Sequence, residues 1–354
     1  MRKHRIAAVP GDGIGPEVIS AGLEVLQAVA GLDGGFGLET ESFDWGSDRY
    51  RKLGRMMPQD GVDSLRGFDA IYFGAVGDPN IPDHITLWEL RLAICQGLDQ
   101  YANVRPTRLM PGMTGPLRPE LARLIDWVIV RENSEGEYAG VGGRAHIGLP
   151  LETGIDVSVF TRSGVERICR FACELAMGRP RKRLTVVTKS NAQRHGMVFW
   201  DVVCRDVLAD FPELDVDFKL VDAMAALMVT KPGAIDTVVA TNLHADILSD
   251  LASALTGSLG NGATANINPA GGLPSMFEPI HGSAFDIVGK GVANPVGAFW
   301  TGAMMLEHLG EAAAAARLMT AIEKVTENGP RTPDLGGQAG SADVTRAVLA
   351  ALGA

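Results

Sequence analysis

The stretch RIAAVPGDGIGPEVISAGLEVLQAVAG, residues 5–31, constrains the fold more than any other part of the chain. A short apolar run leads into a glycine-rich turn, then into apolar residues at helical spacing that open near Pro16 and Glu17 and close at Gly31. That order predicts a buried strand, a tight turn and an amphipathic helix. FDAIYFGAVG, residues 68–77, repeats the strand-then-glycine form. Units of this kind joined by helices predict an α/β sheet with a site at the strand ends.

Further strands are predicted in LARLIDWVIVREN, RLTVVTKSN and AIDTVVATN, helices in VERICRFACELAMG and MVFWDVVCRDVLADF, and a hairpin region through ETGIDVSVFTRSG. A Gly/Asn/Pro-rich loop over 257–274 is expected to precede two long helices. A length of 354 residues predicts about two domains. No linker-like segment divides them, so the expected division is discontinuous: residues 1–100 with 257–354, and residues 101–256.

A net charge of −10 opposes nucleic acid and anionic membrane surfaces as partners. The basic run RPRKRL, residues 179–184, has no interleaved aromatics and reads as a solvated turn before a strand. Cys95, Cys169, Cys173 and Cys204 lack metal-type pairing and sit in helix-like segments as small apolar residues. The N-terminal apolar run is too short for a signal peptide and no stretch approaches a membrane span, so a cytoplasmic location is expected.

The glycines at 11, 13 and 15 spell GxGxG, not the GxGxxG of a dinucleotide fingerprint. A turn needing positive φ and close packing accounts for them as well as cofactor contact does. In NLHADILSD, Asp246 and Asp250 lie at i and i+4, where like charges repel on a helix. A divalent cation reverses that sign, and hard oxygens on adjacent turns suit Mg2+ or Mn2+. The alternative is a solvated pair on an exposed face. A third acid, Asp222 in VDAMAALM, is either a ligand or an N-cap. Arg105, Arg131, Tyr138 and Lys189 fall at strand ends or in the loops that follow. Together they describe a site for a small polyanionic acid on a metal, with Lys and Tyr for proton transfer.

VPGDGIGPEV, VRENSEGEY, TKSN, VDAMA, NLHADILSD, FEPIHGSAFDIVGKGVANP and TPDLGG follow one another in an order that resembles the β-decarboxylating dehydrogenases, the family of isocitrate, 3-isopropylmalate, tartrate and D-malate dehydrogenases. MMPQDG, DQYANVRPTRLMPG and FTRSGVERI look most like the tartrate and D-malate branch. The resemblance implies a two-domain isopropylmalate dehydrogenase-like α/β fold with mixed sheets flanked by helices. It also implies an NAD-dependent decarboxylating 2-hydroxy acid dehydrogenase, working as a homodimer with shared active sites. By matching motifs, Arg105 and Arg131 would hold substrate carboxylates. Asp246, Asp250 and a partner-derived Asp222 would bind Mg2+ or Mn2+, with K+ as a further cation the family allows. Lys189, also partner-derived, would be the base of the oxidation, and Tyr138 would protonate the product enol. His281, Gly282, Ser283, Asp286 and Asn294 would bind NAD, Asp286 at the adenosine ribose, where a carboxylate disfavours NADP.

Three positions depart from the family pattern. Cys95 stands where a substrate arginine is usual, and Arg91, one helical turn earlier, is expected to replace it; the alternative is an exposed helix residue. Arg91 also fits a polar substrate better than an isopropyl group, which favours malate- or tartrate-type acids over 3-isopropylmalate, the runner-up. Ala245 replaces a common glycine, and Phe285 a proline, loosening the loop that carries Asp286. A noncatalytic ligand-binding homologue is the rival of another class; only Cys95 argues for it.

Overall fold

Residues 5–31 form what their pattern predicts: β1 (Arg2–Gly11), a glycine turn and the helix Gly15–Asp33, which buries Val18, Ile19, Val25 and Val29 against the sheet. The turn is a packing device. Gly13 has φ +61, and a Cβ there would lie 1.9 Å from the Ser283 carbonyl oxygen; a Cβ on Gly11, at φ +69, would lie 2.0 Å from that of Ala75. Backbone approach thus accounts for these two glycines.

A computed structural model describes residues 1–353. The remaining strands are β2 (Phe36–Ser42), β3 (Ala70–Ala75), β4 (Ala102–Arg108), β5 (Asp126–Glu132), β6 (Gly136–Ala145), β7 (Thr153–Val159), β8 (Arg183–Thr188), β9 (Asp215–Leu220), β10 (Thr237–Ala240), β11 (Ala263–Ile267) and β12 (Ser275–Pro279). Ten form one mixed sheet in the order β2-β1-β3-β12-β11-β4-β5-β10-β8-β9; β6 and β7 form a separate antiparallel ribbon. The large sheet mixes parallel and antiparallel pairs, the mixed α/β architecture expected.

Both faces of the sheet are covered, as near-continuous apolar strands require. Ile6, Ala8 and Tyr72 enter one cluster while Ala7, Val9 and Phe73 enter another on the opposite face; Val128 and Val130 likewise part from Trp127 and Ile129. The four cysteines are buried and free, within these clusters. The basic turn is locally neutralised: Arg179 and Arg181 pair with Asp236, and Lys182 with Glu213. Among the described residues no helix is long and apolar enough to cross a membrane.

Two expectations fail. The 257–274 segment is not all loop, since it contains β11 at the centre of the sheet, and three helices follow it, Val296–His308, Ala312–Asn328 and Ser341–Leu352. The strand escapes notice because Thr264 and Asn266 in ATANI are polar yet fully buried. Strand direction also reverses at β12/β11, β11/β4 and β4/β5, so the parallel strands of the two halves point opposite ways. Polar residues gather on the antiparallel trio between the halves, and Arg105 lies inside β4 instead of at a strand end.

Candidate active site

Arg131 of β5, Asn103 of β4 and Asn266 of β11 occupy one cross-strand row, which brings their side chains to one face of the sheet. Arg105, two residues beyond Asn103, shares that face. Asn103 Nδ2 donates to Asn266 Oδ1 at 2.7 Å, and Arg105 Nε donates to Asn103 Oδ1 at 3.0 Å. The helix Asn242–Leu255 packs over this row. Arg131 Nε donates to Asn242 Oδ1 at 2.9 Å and its Nη1 to Asp246; Arg105 Nη1 donates to Ser249 Oγ at 2.6 Å. The same Arg105 nitrogen lies 3.5 Å from Asp246 and 3.8 Å from Asp250.

Two buried guanidinium groups thus face two carboxylates. Burial and the neighbouring Arg131 bring Arg105 down to about 10. Burial favours a neutral Asp246, but Arg131 and Arg105 outweigh it and hold this carboxyl below its ordinary range. Asp250, more distant from the arginines, is pushed above its ordinary range by burial, with Asp246 adding to the rise.

The loop after β5 locks to the same helix. Glu137 accepts from Leu243 N and Thr241 Oγ1, both at 3.2 Å, placing a carboxylate at the helix N-terminus. Tyr138 Oη donates to Asp246 Oδ2 at 3.3 Å, its ring lies 5.3 Å from the Arg131 guanidinium carbon, and burial raises its hydroxyl above the ordinary value. Lys189 and Asp222 form an ion pair at 2.5 Å that makes no hydrogen bond or ion pair to the arginines, with Asp222 largely exposed. The Lys189 ammonium holds the Asp222 carboxyl below its ordinary range. Among the described residues no three His, Cys, Asp or Glu side chains are grouped to hold a metal. Asp246 and Asp250 supply hard oxygens suited to Mg2+ or Mn2+, ions that bind through one or two carboxylates and complete their shell with water and substrate oxygens.

Arg91 is buried, not exposed. It lies in Leu87–Leu92, a π-helical turn that runs into the short helix Ala93–Gly97 carrying Cys95. Its Nε and Nη2 grip Glu278 at 2.9 and 2.6 Å, and Nη2 reaches Asn266 Oδ1 at 3.3 Å. Burial pushes the Glu278 carboxyl up, but Arg91 outweighs this and keeps it below the ordinary range. Cys95 lies in the core beneath, its thiol raised to about 11 by burial.

Arg91, Arg105 and Glu278 line a cavity of about 140 Å³ that extends to His281 and Gly282. His281 Nδ1 donates to the Gly282 carbonyl at 3.0 Å, leaving Nε2 buried without a partner. A buried ring nitrogen without a partner in the chain fits a hydrogen bond to a bound ligand. The Ser283 carbonyl accepts from Ile14 N at 2.9 Å, tying the loop to the glycine turn. Asp286 is exposed, on a short 3-10 turn entered through Ala284 at φ +43. The Asn294 side chain is anchored: Oδ1 accepts from Val296 N at 3.0 Å and Nδ2 donates to Asn261 and Asp334, both at 2.9 Å. Its amide hydrogens are taken within the chain, and Oδ1 keeps one lone pair for a ligand.

Glu278, Asn266, Asn103 and Ser249 were not singled out from sequence. Glu278 stands in FEPIHGS, and the two asparagines look like loop residues; the signal that could have found them is amide side chains at alternating positions of short strands.

Known proteins resemble this chain along its whole length. A probable tartrate dehydrogenase/decarboxylase of Agrobacterium vitis is 65% identical over 352 residues, covering 99% of this chain and 98% of the relative. The decarboxylating D-malate dehydrogenase of Escherichia coli K12 is 48% identical, covering 98% of each. The crystal structure of isocitrate dehydrogenase from Methylococcus capsulatus superposes with a TM-score of 0.89 at 35% identity, covering 99% of both chains. With these matches, and with the isocitrate/isopropylmalate dehydrogenase family matching residues 5–348, the chain belongs to that family.

Proposed function

We propose that the chain catalyses NAD- and divalent-metal-dependent oxidative decarboxylation of a small 2-hydroxy acid of the malate or tartrate type. One observation carries this reading: two buried arginines, two adjacent aspartates and a tyrosine hydroxyl converge on one face beside the His281–Gly282 loop. Arg105 and Arg131 would bind the substrate carboxylates, and Arg91 would offer its unpaired edge. Asp246 and Asp250 would hold Mg2+ or Mn2+, with Asp222 and Lys189 supplied by a second copy of the chain. NAD, when bound, would supply the hydride acceptor, and a divalent cation held by the aspartates would supply a Lewis acid for the substrate oxygens.

The chain's own residues carry the protons. Lys189, acting as the neutral amine, takes the hydroxyl proton as the alcohol becomes a ketone. The ketone is β to a carboxylate, so breaking that carbon–carbon bond releases CO2 and leaves its electrons as an enolate. Tyr138, whose raised hydroxyl keeps its proton, donates it to the carbon. Asp286 accepts from ribose hydroxyls and repels a 2′-phosphate, which favours NAD over NADP.

A homodimer fits the lack of any hydrogen bond or ion pair between Lys189 or Asp222 and the arginines. It also fits the exposed Val141, Leu151 and Ile155 on or beside the β6–β7 ribbon and the exposed Ile247 on the acidic helix. The halves built from 1–100 with 257–354 and from 101–256 would be the two domains. NADH formation with a panel of 2-hydroxy acids, with Mn2+ and after chelation, tests the proposal. Metal-dependent turnover of malate or tartrate is expected; silence across the panel would reject it.

A further inference from the structure

The Arg91–Glu278 ion pair is buried on both sides, with side chains 9% and 7% exposed, and it stands in the cavity wall between Arg105 and His281. Burying a guanidinium is costly unless a carboxylate matches it with good geometry. Glu278 supplies a two-point contact to Nε and Nη2, and Asn266 steadies both partners: its Oδ1 accepts from Arg91 Nη2, and its Nδ2 donates to Glu278 Oε1 at 2.9 Å. Asn266 also accepts from Asn103, which accepts from Arg105, so the pair and the nearest candidate substrate arginine share one set of hydrogen bonds. Of the Arg91 guanidinium nitrogens only Nη1 has no partner in the chain, and it is not among the sealed buried atoms.

We infer that Glu278 is a positioning residue that fixes Arg91 with Nη1 turned to the substrate. The pair then selects acids whose carbon next to the carbinol carbon bears, besides its carboxylate, only hydrogen or a hydroxyl over acids with an alkyl branch there. The inference rests on the proposed substrate class and names the residue that enforces it. An alkyl branch would shield Nη1 from water without offering it an acceptor, and sites built to hydrogen-bond a substrate reject analogues that cannot reciprocate.

Steady-state kinetics on Glu278→Gln, Arg91→Lys and the double variant Arg91→Leu/Glu278→Leu test this with malate, tartrate and an alkyl-branched malate. Glu278→Gln should raise KM for malate and tartrate by about tenfold or more while KM for NAD stays within about twofold. The double variant should shift preference toward the branched acid by about tenfold or more. An unchanged KM for the acids, or a change confined to KM for NAD, would overturn the inference. Should Glu278→Gln not fold, Arg91→Lys, which keeps the charge but loses the two-point grip, must show the same split, and an unchanged KM there overturns it.

Protection from thermal unfolding by malate, measured with Mn2+, reads the contact without turnover. If the wild type is silent, the proposed activity fails, yet Glu278 is still judged: loss of malate protection in Glu278→Gln supports it, and equal protection refutes it.

Discussion

Asp246 and Asp250 lie one turn apart on one helix, yet Asp246 is held below the ordinary carboxyl range by Arg131 and Arg105 while Asp250 is pushed above it by burial. The helix carries the two groups in opposite electrostatic circumstances, and a dication would relieve the repulsion between them.

Asp246→Asn should therefore lower metal-dependent turnover on the order of 100-fold or more. The fold should persist, because Arg131 keeps Asn242 and Arg105 keeps Ser249 as partners. NADH formation across a Mn2+ titration, alongside circular dichroism, checks both; an active variant would remove Asp246 from the metal site.

Tyr138→Phe keeps the ring over Arg131 but deletes the hydroxyl that donates to Asp246. We predict a fall in kcat of about 10²–10⁴-fold with KM for the acid little changed. A variant with wild-type kcat would mean that the enol proton comes from elsewhere.

Asp286 is exposed on its 3-10 turn, free to face an adenosine ribose. Wild-type kcat/KM should favour NAD, and Asp286→Lys should move the ratio toward NADP by about tenfold. Comparable wild-type efficiency with both cofactors would reject the assignment.

The Glu278 carboxyl has a lower value folded than unfolded, so its stabilising effect is complete above the ordinary carboxyl range and is lost as pH falls through the folded value. Glu278→Gln should cost about 3 kcal/mol near neutrality. The gap in Tm between wild type and variant should hold from neutrality down to the ordinary carboxyl value of 4.5 and narrow below it. A gap independent of pH would show that the charge is not what stabilises.

Gly13→Ala places a methyl group 1.9 Å from the Ser283 carbonyl oxygen at a φ of +61. We expect a loss of about 2–4 kcal/mol and a higher KM for NAD, since the 281–283 loop must move. Unchanged thermal unfolding would show that the turn yields easily.

Strong periodicity made most of the scaffold legible: the helix at residues 15–33, β3, β5, β8 and β10 all stand where apolar runs and glycines place them. So were the charged residues of the site, because arginines and aspartates beside buried strands are conspicuous. What stayed hidden was the neutral part. Asn103, Asn266 and Ser249 acquire meaning only through register between strands far apart in sequence. Arg91 illustrates the other limit: its helical spacing to Cys95 was visible, but the π-turn and the grip of Glu278 are tertiary.

β11 is only five residues long, and its register on β4 aligns Asn266 with Asn103. A slip of one residue would turn Thr264 and Asn266 to the far face, separating Arg91 and Glu278 from Arg105. Two alanines in ATANI give weak hydrophobic guidance, so pairing fidelity here depends on amides finding their partners. Assembly of the central seam and assembly of the substrate pocket are thus one folding event, and a chain misaligned at β11 would be both less stable and inactive.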